Sequence, residues 1–278
     1  MRLPNTSNPS ARTLAASLRE EREARGVRVR ELAEAIGTSP AMLSQWETGK
    51  RIPSTEDVSA ILGHLRITGA KREHIRALAR HAREPNWLST SHPGIPHVMS
   101  GVVKFEKSAR AITTWSPTMI PGLLQTADYI RMIMDNSFVS IEHADIRIGI
   151  RLERQKILTR KDPVRLRAYI TERMLRDGVG DENIMSDQVD HLLAMSERDN
   201  ICLRILPTGI PYHPGFVGPF EIYEFADTAP IILLEHHRCS AFLHEDVYIK
   251  DYQRLAKLVL GYALSEEDSR AVLQELVR

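Results

Sequence analysis

A chain of 278 residues is long enough for about two globular domains, and its hydrophobic fraction of 42% excludes an intrinsically disordered protein. No apolar run approaches the roughly 18 residues that a membrane helix needs, so a transmembrane protein is excluded as well. The formal net charge is +1, and the two cysteines, Cys202 and Cys239, are too few for a disulfide framework or a paired metal motif.

The first eleven residues are polar, contain two prolines and show no hydrophobic periodicity. We therefore predict a disordered arm over residues 1–11. This segment also lacks the apolar stretch of a secretory signal, so the sequence predicts a soluble cytoplasmic protein.

Five amphipathic helices are predicted between residues 12 and 83. Gly26 and Gly37 stand where the first two should end, because glycine is the usual residue just after a helix. Ser54 and Asp57 are three residues apart, a spacing typical of the capping box that begins a helix. Five short helices in about 70 residues indicate a small, mainly α-helical N-terminal domain.

The third predicted helix lies in the sequence TSPAMLSQWETGKR, which contains the signals of a short helix with one exposed face. Ser39 can cap the helix, and Pro40 fits its first position, where no amide hydrogen bond is lost. Leu43 and Trp46 are three apart and predict an inward face. Gly49 then ends the helix, which leaves a slim polar face towards solvent.

Two short helices joined by a glycine-containing turn favour a helix-turn-helix, whose second helix enters the DNA major groove. Gln45 suits a bidentate contact to adenine, whereas basic side chains suit phosphates. The predicted base contacts are Thr38, Ser39, Pro40, Ala41, Ser44 and Gln45. The predicted phosphate contacts are Arg28, Arg30, Lys50 and Arg51. From pattern alone, an ordinary helical bundle with a solvated polar face remains the alternative.

The charge distribution fits a nucleic-acid contact at one end of the chain. Residues 1–90 contain 15 Lys and Arg against 10 Asp and Glu, while the remainder contains 22 against 26. A basic N-terminal region followed by an acidic remainder is typical of nucleic-acid-binding proteins, although ordinary surface charge gives similar numbers.

The segment GVRVRELAEAIGTSPAMLSQWETGKRIPS, residues 26–54, resembles the helix-turn-helix of the lambda-repressor-like, XRE-type regulators. The resemblance implies that Glu47 makes a salt bridge or hydrogen bond inside the domain. The sequence departs from the family at Arg28 and Val29, where Ser or Thr followed by Gln is usual, and at Gln45, where Arg is frequent. The DNA target of the family is therefore not transferable to this chain.

Proline, serine and glycine interrupt the helical pattern at residues 84–98, which we interpret as a linker. Residues 99–278 are predicted to form an α+β domain with a mostly antiparallel sheet flanked by helices. Helices are predicted at 102–112, 126–134, 142–158, 186–198, 245–264 and 265–277. Strands are predicted at 164–171, 200–207, 219–226, 230–237 and 239–243.

Five segments of this second domain resemble one known family: WSPTMIPGLLQTADYIR, RLERQKIL, NICLRILP, HPGFVGPFEIYEF and LSEEDSRAVLQEL. The family is the domain of unknown function that follows XRE-type domains in actinobacterial regulators described as Scr-type and antitoxin-like. The resemblance implies a transcription factor, often encoded beside a small partner protein that it binds.

We find no set of residues that predicts catalysis. His213, His236, His237 and His244 are the candidate metal ligands, but the adjacent pair His236 and His237 should point to opposite faces of a strand. No HExxH, Cys/His cluster, GxSxG, Walker loop or dinucleotide fingerprint occurs. We therefore expect no metal, no cofactor and no enzymatic activity.

Two hydrophobic loops, PTMIPGLLQ and HPGFVGPF, have two interpretations. They pack between helices and sheet, or they form an exposed pocket for a peptide or small molecule. The aromatic lining of such a pocket would be Trp115, Tyr212, Phe216 and Phe220.

Together these patterns predict a DNA-binding transcriptional regulator whose second domain dimerises and responds to a partner protein or ligand. One helix-turn-helix buries little surface, and half-sites lie about 34 Å apart, so we expect a homodimer on a palindromic operator of double-stranded DNA. The alternative is an antitoxin-like interaction protein that mainly sequesters a small, neighbour-encoded partner. An enzyme with an N-terminal DNA-binding domain would need acidic, basic or metal-binding residues that come together in one site, and the sequence does not show such a group.

Overall fold

The computed structural model describes residues 9–82, 87–90, 97–135, 144–178, 181–236 and 239–277. The described helices are α1 Pro9–Ala24, α2 Val29–Ala35, α3 Pro40–Glu47, α4 Thr55–His64, α5 Gly69–His81, α6 His97–Ser108, α7 Ala127–Asp135, α8 Ala144–Gln155, α9 Glu172–Asp177, α10 Glu182–Ser196, α11 Asp246–Tyr262 and α12 Glu266–Leu276. The strands are β1 Trp87–Thr90, β2 Ala111–Ser116, β3 Arg165–Thr171, β4 Ile201–Leu206, β5 Phe220–Glu224, β6 Ile231–His236 and β7 Cys239–Leu243.

The chain divides into two compact units. The first unit comprises residues 1–88 with the short segments 228–231 and 241–245, and the second comprises 89–227, 232–240 and 246–278. Of the predicted disordered arm 1–11, residues 1–8 lie outside the described residues. Residues 9–11 form the first turn of α1. The predicted linker is described only in part, and there it contains β1 and the start of α6.

The N-terminal unit is built from the five helices that the sequence predicts. Apolar residues at helical spacing meet in one core, because α1 packs against α3 and α5 while α2 packs against α3 and α4. Buried members of this core include Leu14, Leu32, Leu43, Ile61 and Ile75. At the start of α4, the Ser54 hydroxyl accepts a hydrogen bond from the backbone N–H of Asp57 at 3.0 Å, which confirms the predicted cap.

The strands form a mostly antiparallel sheet in the order β1-β7-β6-β5-β2-β3-β4. The pair β2 and β5 is antiparallel, with Trp115 opposite Phe220. Strands β5, β6 and β7 are consecutive both in the sheet and in the sequence, with connections too short for parallel crossovers. The exceptions are β2 with β3 and β3 with β4, which run parallel because helices intervene along the chain.

The predicted α+β class of the C-terminal region is confirmed, and five of its strands lie at the predicted places. The helix expected at 102–112 ends at Ser108, and three elements were not predicted: the strand β1 within the expected linker, the central strand β2 and the short helix α9. The β2 sequence AITTWS is rich in β-branched and aromatic residues, which favours a strand. Its first five residues are all buried, so β2 lacks the polar alternation that would have marked it.

Several ionisable side chains are buried in the C-terminal unit. The guanidinium of Arg154 donates to both carboxylate oxygens of Glu106, at 2.6 and 2.8 Å. The hydroxyl of Tyr223 donates a hydrogen bond to Glu221. Burial raises the pKa of Glu221 to about 7, and the nearby carboxylates of Glu235 and Glu106 act in the same direction. The interior therefore contains a carboxyl group that titrates close to neutral pH.

Across the described residues, no helix combines the length and apolar character needed to cross a membrane.

Candidate nucleic-acid interface

A tight turn sets the positions of α2 and α3. Gly37 has a φ of +71°, a left-handed conformation that glycine adopts without steric cost. Its N–H donates to the carbonyl of Glu34, and the N–H of Thr38 donates to the carbonyl of Ala33 at 2.8 Å. The hydroxyl of Ser39 then accepts from the N–H of Met42 at 3.1 Å, which begins α3 as the sequence predicts.

The inner face of α3 is fixed by packing and by one buried ion pair. Leu43 and Trp46 are buried, as predicted. The guanidinium of Arg22 donates to both carboxylate oxygens of Glu47 at 2.7 and 2.8 Å, and also to the carbonyl of Val27 at 3.0 Å. The hydrogen bonds to Glu47 raise the pKa of Arg22 above its ordinary value. The structural role expected for Glu47 is thus confirmed, and it ties α3 to α1.

The outer face of α3 is narrow and polar. Ala41, Ser44 and Thr48 are exposed and Gln45 is half-buried, and their spacing places them on one side of the helix. The hydroxyl of Thr48 donates to the carbonyl of Ser44 at 2.8 Å. Within the described part of the chain, the amide of Gln45 makes no hydrogen bond, so it can both donate to and accept from a ligand.

The remaining predicted base contacts lie around the start of α3. Ser39 and Pro40 are exposed, and Thr38 is half-buried. The oxygen of Ser39 already accepts the capping hydrogen bond, but its hydroxyl hydrogen is still available to a ligand. Four of the six predicted base contacts, Thr38, Ser39, Pro40 and Ala41, therefore lie around the start of α3, and Ser44 and Gln45 follow one turn later. The start of a recognition helix is the part that approaches base edges.

All four predicted phosphate contacts, Arg28, Arg30, Lys50 and Arg51, are exposed. Among the described residues none of the four is in an ion pair, whereas the exposed Arg19, Arg25 and Lys71 and the half-buried Arg76 of this unit have acidic partners. Arg51 is held close to α3, because its N–H donates to the carbonyl of Gln45 at 3.1 Å. Four exposed cations beside α2 and α3 are thus uncompensated; among the described residues of this unit, the exposed Arg66 and Arg80 also have no ion-pair partner.

The departure of the sequence at Arg28 has a local consequence. Arg28 is the residue before α2, and its side chain makes no capping hydrogen bond. The carboxylate of Glu31 instead accepts a long hydrogen bond from the N–H of Arg28, at 3.4 Å. The guanidinium of Arg28 is left exposed in front of the helix.

The aromatic residues proposed as a pocket lining in the C-terminal domain lie in two different environments. Trp115 is 1% exposed and Phe220 is buried beside it in the sheet. Tyr212 is 75% exposed and Phe216 is 51% exposed. The indole N–H of Trp115 donates to the carbonyl of Gly215 at 2.7 Å, so Trp115 anchors the loop that displays Tyr212 and Phe216.

His213 packs at the base of this loop. Its ring centroid lies 4.5 Å from that of Phe216 and 5.4 Å from that of Tyr262. The ring nitrogen Nδ1 accepts from the N–H of Gly215 at 3.2 Å, and burial lowers the pKa of the imidazole. A neutral ring held by its neighbours acts as a structural element, and within the described residues no three His, Cys, Asp or Glu side chains form a metal-binding group.

The comparisons with known proteins cover both regions of the chain. The family described as "Domain of unknown function (DUF5753)" matches residues 99–275. The chain belongs to the DUF5753 family. A second family, described as "Helix-turn-helix domain", matches residues 13–75, which include α2 and α3. A helix-turn-helix domain joined to the DUF5753 domain suggests a DNA-binding transcriptional regulator.

Among solved structures, the crystal structure of the clp gene regulator ClgR from Corynebacterium glutamicum is similar at 35% sequence identity. The likeness covers 26% of this chain and 80% of that chain, with a TM-score of 0.23. Among curated proteins, none matches this chain.

Sequence reasoning missed two residues that support these sites. Arg22 holds Glu47, but an arginine in a charged stretch of α1 has no pattern that identifies its partner 25 residues away. Gly215 in the DUF5753 domain lies so close to its neighbours that an added Cβ would come within 2.8 Å of the His213 ring. The only sequence signal for Gly215 was the general abundance of glycine and proline in the loop.

Replacing Gly215 by alanine should displace the loop of the DUF5753 domain. The new Cβ would overlap the His213 ring and approach the Trp115 indole nitrogen to 3.1 Å, in a site with little room to adjust. We expect a loss of ~1–3 kcal/mol in the free energy of unfolding and a shift in Trp115 fluorescence. Gly218→Ala is the matched control, since nothing lies within 4 Å of its Cβ position and its backbone is extended. Equal stability of both variants would contradict this packing.

Proposed function

We propose that this chain is a sequence-specific transcriptional regulator that inserts α3 into the DNA major groove. In this proposal residues 12–83 bind DNA and residues 84–98 link the two domains. Residues 99–278 dimerise and receive a signal from a partner protein or ligand. The observation that carries it is the outer face of α3, where small side chains and the unpaired amide of Gln45 lie between uncompensated cations.

The dimensions and chemistry of this face suit duplex DNA. The major groove is about 12 Å wide and admits an α-helix, and short outer side chains let the helix backbone come close to base edges. Ala41 and Ser44 meet that condition, and Gln45 supplies the donor and acceptor that adenine requires. The cations flanking both helices would neutralise phosphates, which gives affinity without sequence preference.

Binding as a homodimer follows from the small size of this surface. A single helix-turn-helix contacts one short half-site, whereas two copies related by a two-fold axis contact two half-sites about 34 Å apart. We therefore propose a palindromic operator. The C-terminal domain supplies the second function, because a ligand or partner that favours one dimer geometry changes DNA affinity through linkage.

A second candidate function is supported by the exposed loop of the DUF5753 domain. Tyr212, Phe216 and Val217 present apolar surface to solvent, a feature of protein-binding sites. In this candidate the chain is antitoxin-like and mainly sequesters a small partner protein encoded nearby. Copurification of one small protein with the full chain, lost in Tyr212→Ser/Phe216→Ser, would favour it. Unchanged recovery of that protein with the double variant would oppose it.

The DNA-binding proposal is tested by mapping the genomic sites of the intact protein and then measuring affinity for the strongest site. Gln45→Ala should cost ~1–3 kcal/mol and relax the preference at one base pair of each half-site. Lys50→Ala and Arg51→Ala should weaken binding to all sequences, and each should lower the slope of affinity against salt by about one.

Arg80→Ala is the control for these charge changes, because Arg80 is exposed on α5, which packs against α1 and α4. It should leave the affinity and the salt slope nearly unchanged. If Gln45→Ala and Arg51→Ala in combination behave like Arg80→Ala, the outer face of α3 is not the DNA interface and the proposal is wrong.

A further inference from the structure

Most exposed large apolar side chains of the described C-terminal domain belong to one loop and one helix. The loop contributes Tyr212, Phe216 and Val217, and α11 contributes Val247, Tyr248 and Leu258. Pro214 of the loop and Tyr252, Leu255 and Leu258 of α11 also line one open cavity of about 710 Å³, together with the charged side chains of Asp251, Arg254 and Lys257. Loop and helix therefore form one continuous surface, which we name the α11 surface. Apolar patches of this kind mark interaction sites.

Along α11, four exposed residues form a straight row that we name the α11 seam. The row consists of Val247, Asp251, Arg254 and Leu258, with spacings of four, three and four residues. This spacing keeps all four on one side of a helix. The opposite side of α11 is buried through Ile249, Ala256 and Val259. The seam thus faces away from the core of its own domain.

The seam is complementary to itself when it is reversed. If two copies of α11 pair antiparallel, Val247 of each copy lies opposite Leu258 of the other, and Asp251 lies opposite Arg254. Each contact then occurs twice, as a two-fold interface requires. A parallel pairing would instead place like charges together, because Asp251 would meet its own equivalent and so would Arg254.

We propose that the α11 surface binds a second copy of this chain through antiparallel pairing of α11. The two-fold axis passes midway between Asp251 and Arg254, and apolar contacts at both ends enclose two symmetric ion pairs. This inference rests on the proposed function, which needs two copies, and deepens it by naming the surface that joins them. Among the described residues, Asp251 and Arg254 have no ion-pair partner of their own, so both charges are available.

The loop adds apolar area beside the seam. The rings of Tyr212 and Phe216 are stacked, with centroids 6.1 Å apart and planes inclined by 15°. Aromatic side chains are enriched in protein interfaces. An unrelated partner would use the same apolar area, but it would not require the reversed match of acid with base and of apolar with apolar. The palindromic order of the seam is therefore the reason to choose a second copy.

Charge reversal in the full-length chain tests the pairing, with sedimentation velocity as the measurement and no DNA present. The unchanged chain should sediment as a dimer. Asp251→Arg and Arg254→Asp, each alone, should weaken self-association by ~10- to 100-fold, because like charges then face each other twice. The double variant Asp251→Arg/Arg254→Asp should recover the dimer, since its seam is again complementary to itself.

Mixing the two single variants is the most specific test of the proposed pairing. The Asp251→Arg chain and the Arg254→Asp chain should each repel themselves and attract one another, so an equimolar mixture should form a heterodimer. Circular dichroism should show that every variant is folded. A folded double variant that stays monomeric, or a mixture that does not associate, would overturn the proposed pairing.

The apolar end of the seam has a matched control. Leu258→Ser should weaken self-association by ~10-fold or more, whereas Leu152→Ser on α8 should not, although the two leucines are similarly exposed at 41% and 37%. Self-association that is equally sensitive to both substitutions, or to neither, would place the interface elsewhere.

Failure of this inference is distinguishable from failure of the DNA-binding proposal. A chain that is monomeric without DNA but binds its genomic site with the predicted dependence on Gln45 would refute only the α11 pairing. A chain whose dimerisation follows the charge pattern but whose DNA affinity is indifferent to α3 would refute only the DNA interface.

Discussion

Glu47→Ala is expected to lower the free energy of unfolding of the N-terminal unit by ~3–5 kcal/mol, because it leaves the buried guanidinium of Arg22 without its carboxylate. Both side chains of this pair are almost completely buried and share two hydrogen bonds. The carbonyl of Val27 would be the main remaining acceptor for Arg22. Since Trp46 precedes Glu47 in α3, loosening of the pair should also disorder α3.

Glu23→Ala is the matched control for this substitution. Glu23 also approaches Arg22, at 3.5 Å, but its side chain is half exposed and its main partner is Arg19. Exposed ion pairs contribute only ~0–1 kcal/mol, so this variant should remain close to the unchanged chain. Hydrogen–deuterium exchange resolves the N-terminal unit from the rest, and α3 amides should lose protection only in Glu47→Ala. Similar protection in both variants would show that the Arg22–Glu47 pair does not hold α3.

The helix-turn-helix was predictable from sequence because its signals are local. Ser39, Pro40 and Gly49 each act within a few residues of their own position, through a hydroxyl, a fixed φ angle or a left-handed turn. The inward positions of Leu43 and Trp46 follow from helical spacing alone. Consequently the amino-acid sequence was sufficient to place α3, its two faces and the exposed residues around it.

The C-terminal domain was less predictable because its decisive contacts are distant in sequence. Strand β2 is hydrogen-bonded to β3 and β5 and buried on both faces, so no alternation of polar residues marked it as a strand. Trp115 and Phe220 were grouped with Tyr212 and Phe216 by residue type, whereas burial separates them. Composition shows which aromatic residues a loop region contains, but long-range packing decides which of them solvent can reach.

The α11 seam is a second feature that the sequence alone could not identify. Val247, Asp251, Arg254 and Leu258 have the mixed character of an ordinary exposed helix face, and the sequence predicts only an amphipathic helix there. Their significance depends on knowing that the other face is buried and that the loop at 212–217 lies beside them. Self-complementarity can be tested on a surface only after that surface has been identified.

Glu221→Gln is expected to stabilise the protein by ~3–4 kcal/mol at pH 8 and by only ~1 kcal/mol at pH 5. Burial raises the pKa of Glu221 to about 7 in the folded chain, compared with about 4.3 in an unfolded chain. Between these two values the folded state holds a proton that the unfolded state has released. The free energy of unfolding therefore falls as the pH rises from about 4.3 to about 7, and this contribution is constant at higher pH.

Glutamine is neutral at every pH and can still accept the hydrogen bond from the hydroxyl of Tyr223, so the substitution removes the titration while preserving the contact. Glu224→Gln, on the same strand, is the control, because Glu224 pairs with the partly exposed Arg167 at 2.8 Å. Urea unfolding of all three chains, followed by fluorescence between pH 5 and 8, provides the comparison. The curves of the unchanged chain and of Glu221→Gln should diverge steadily from pH 5 to pH 7. If they stay parallel, Glu221 is ionised throughout this range, and the group of buried carboxylates around Arg154 tolerates more negative charge than its burial indicates.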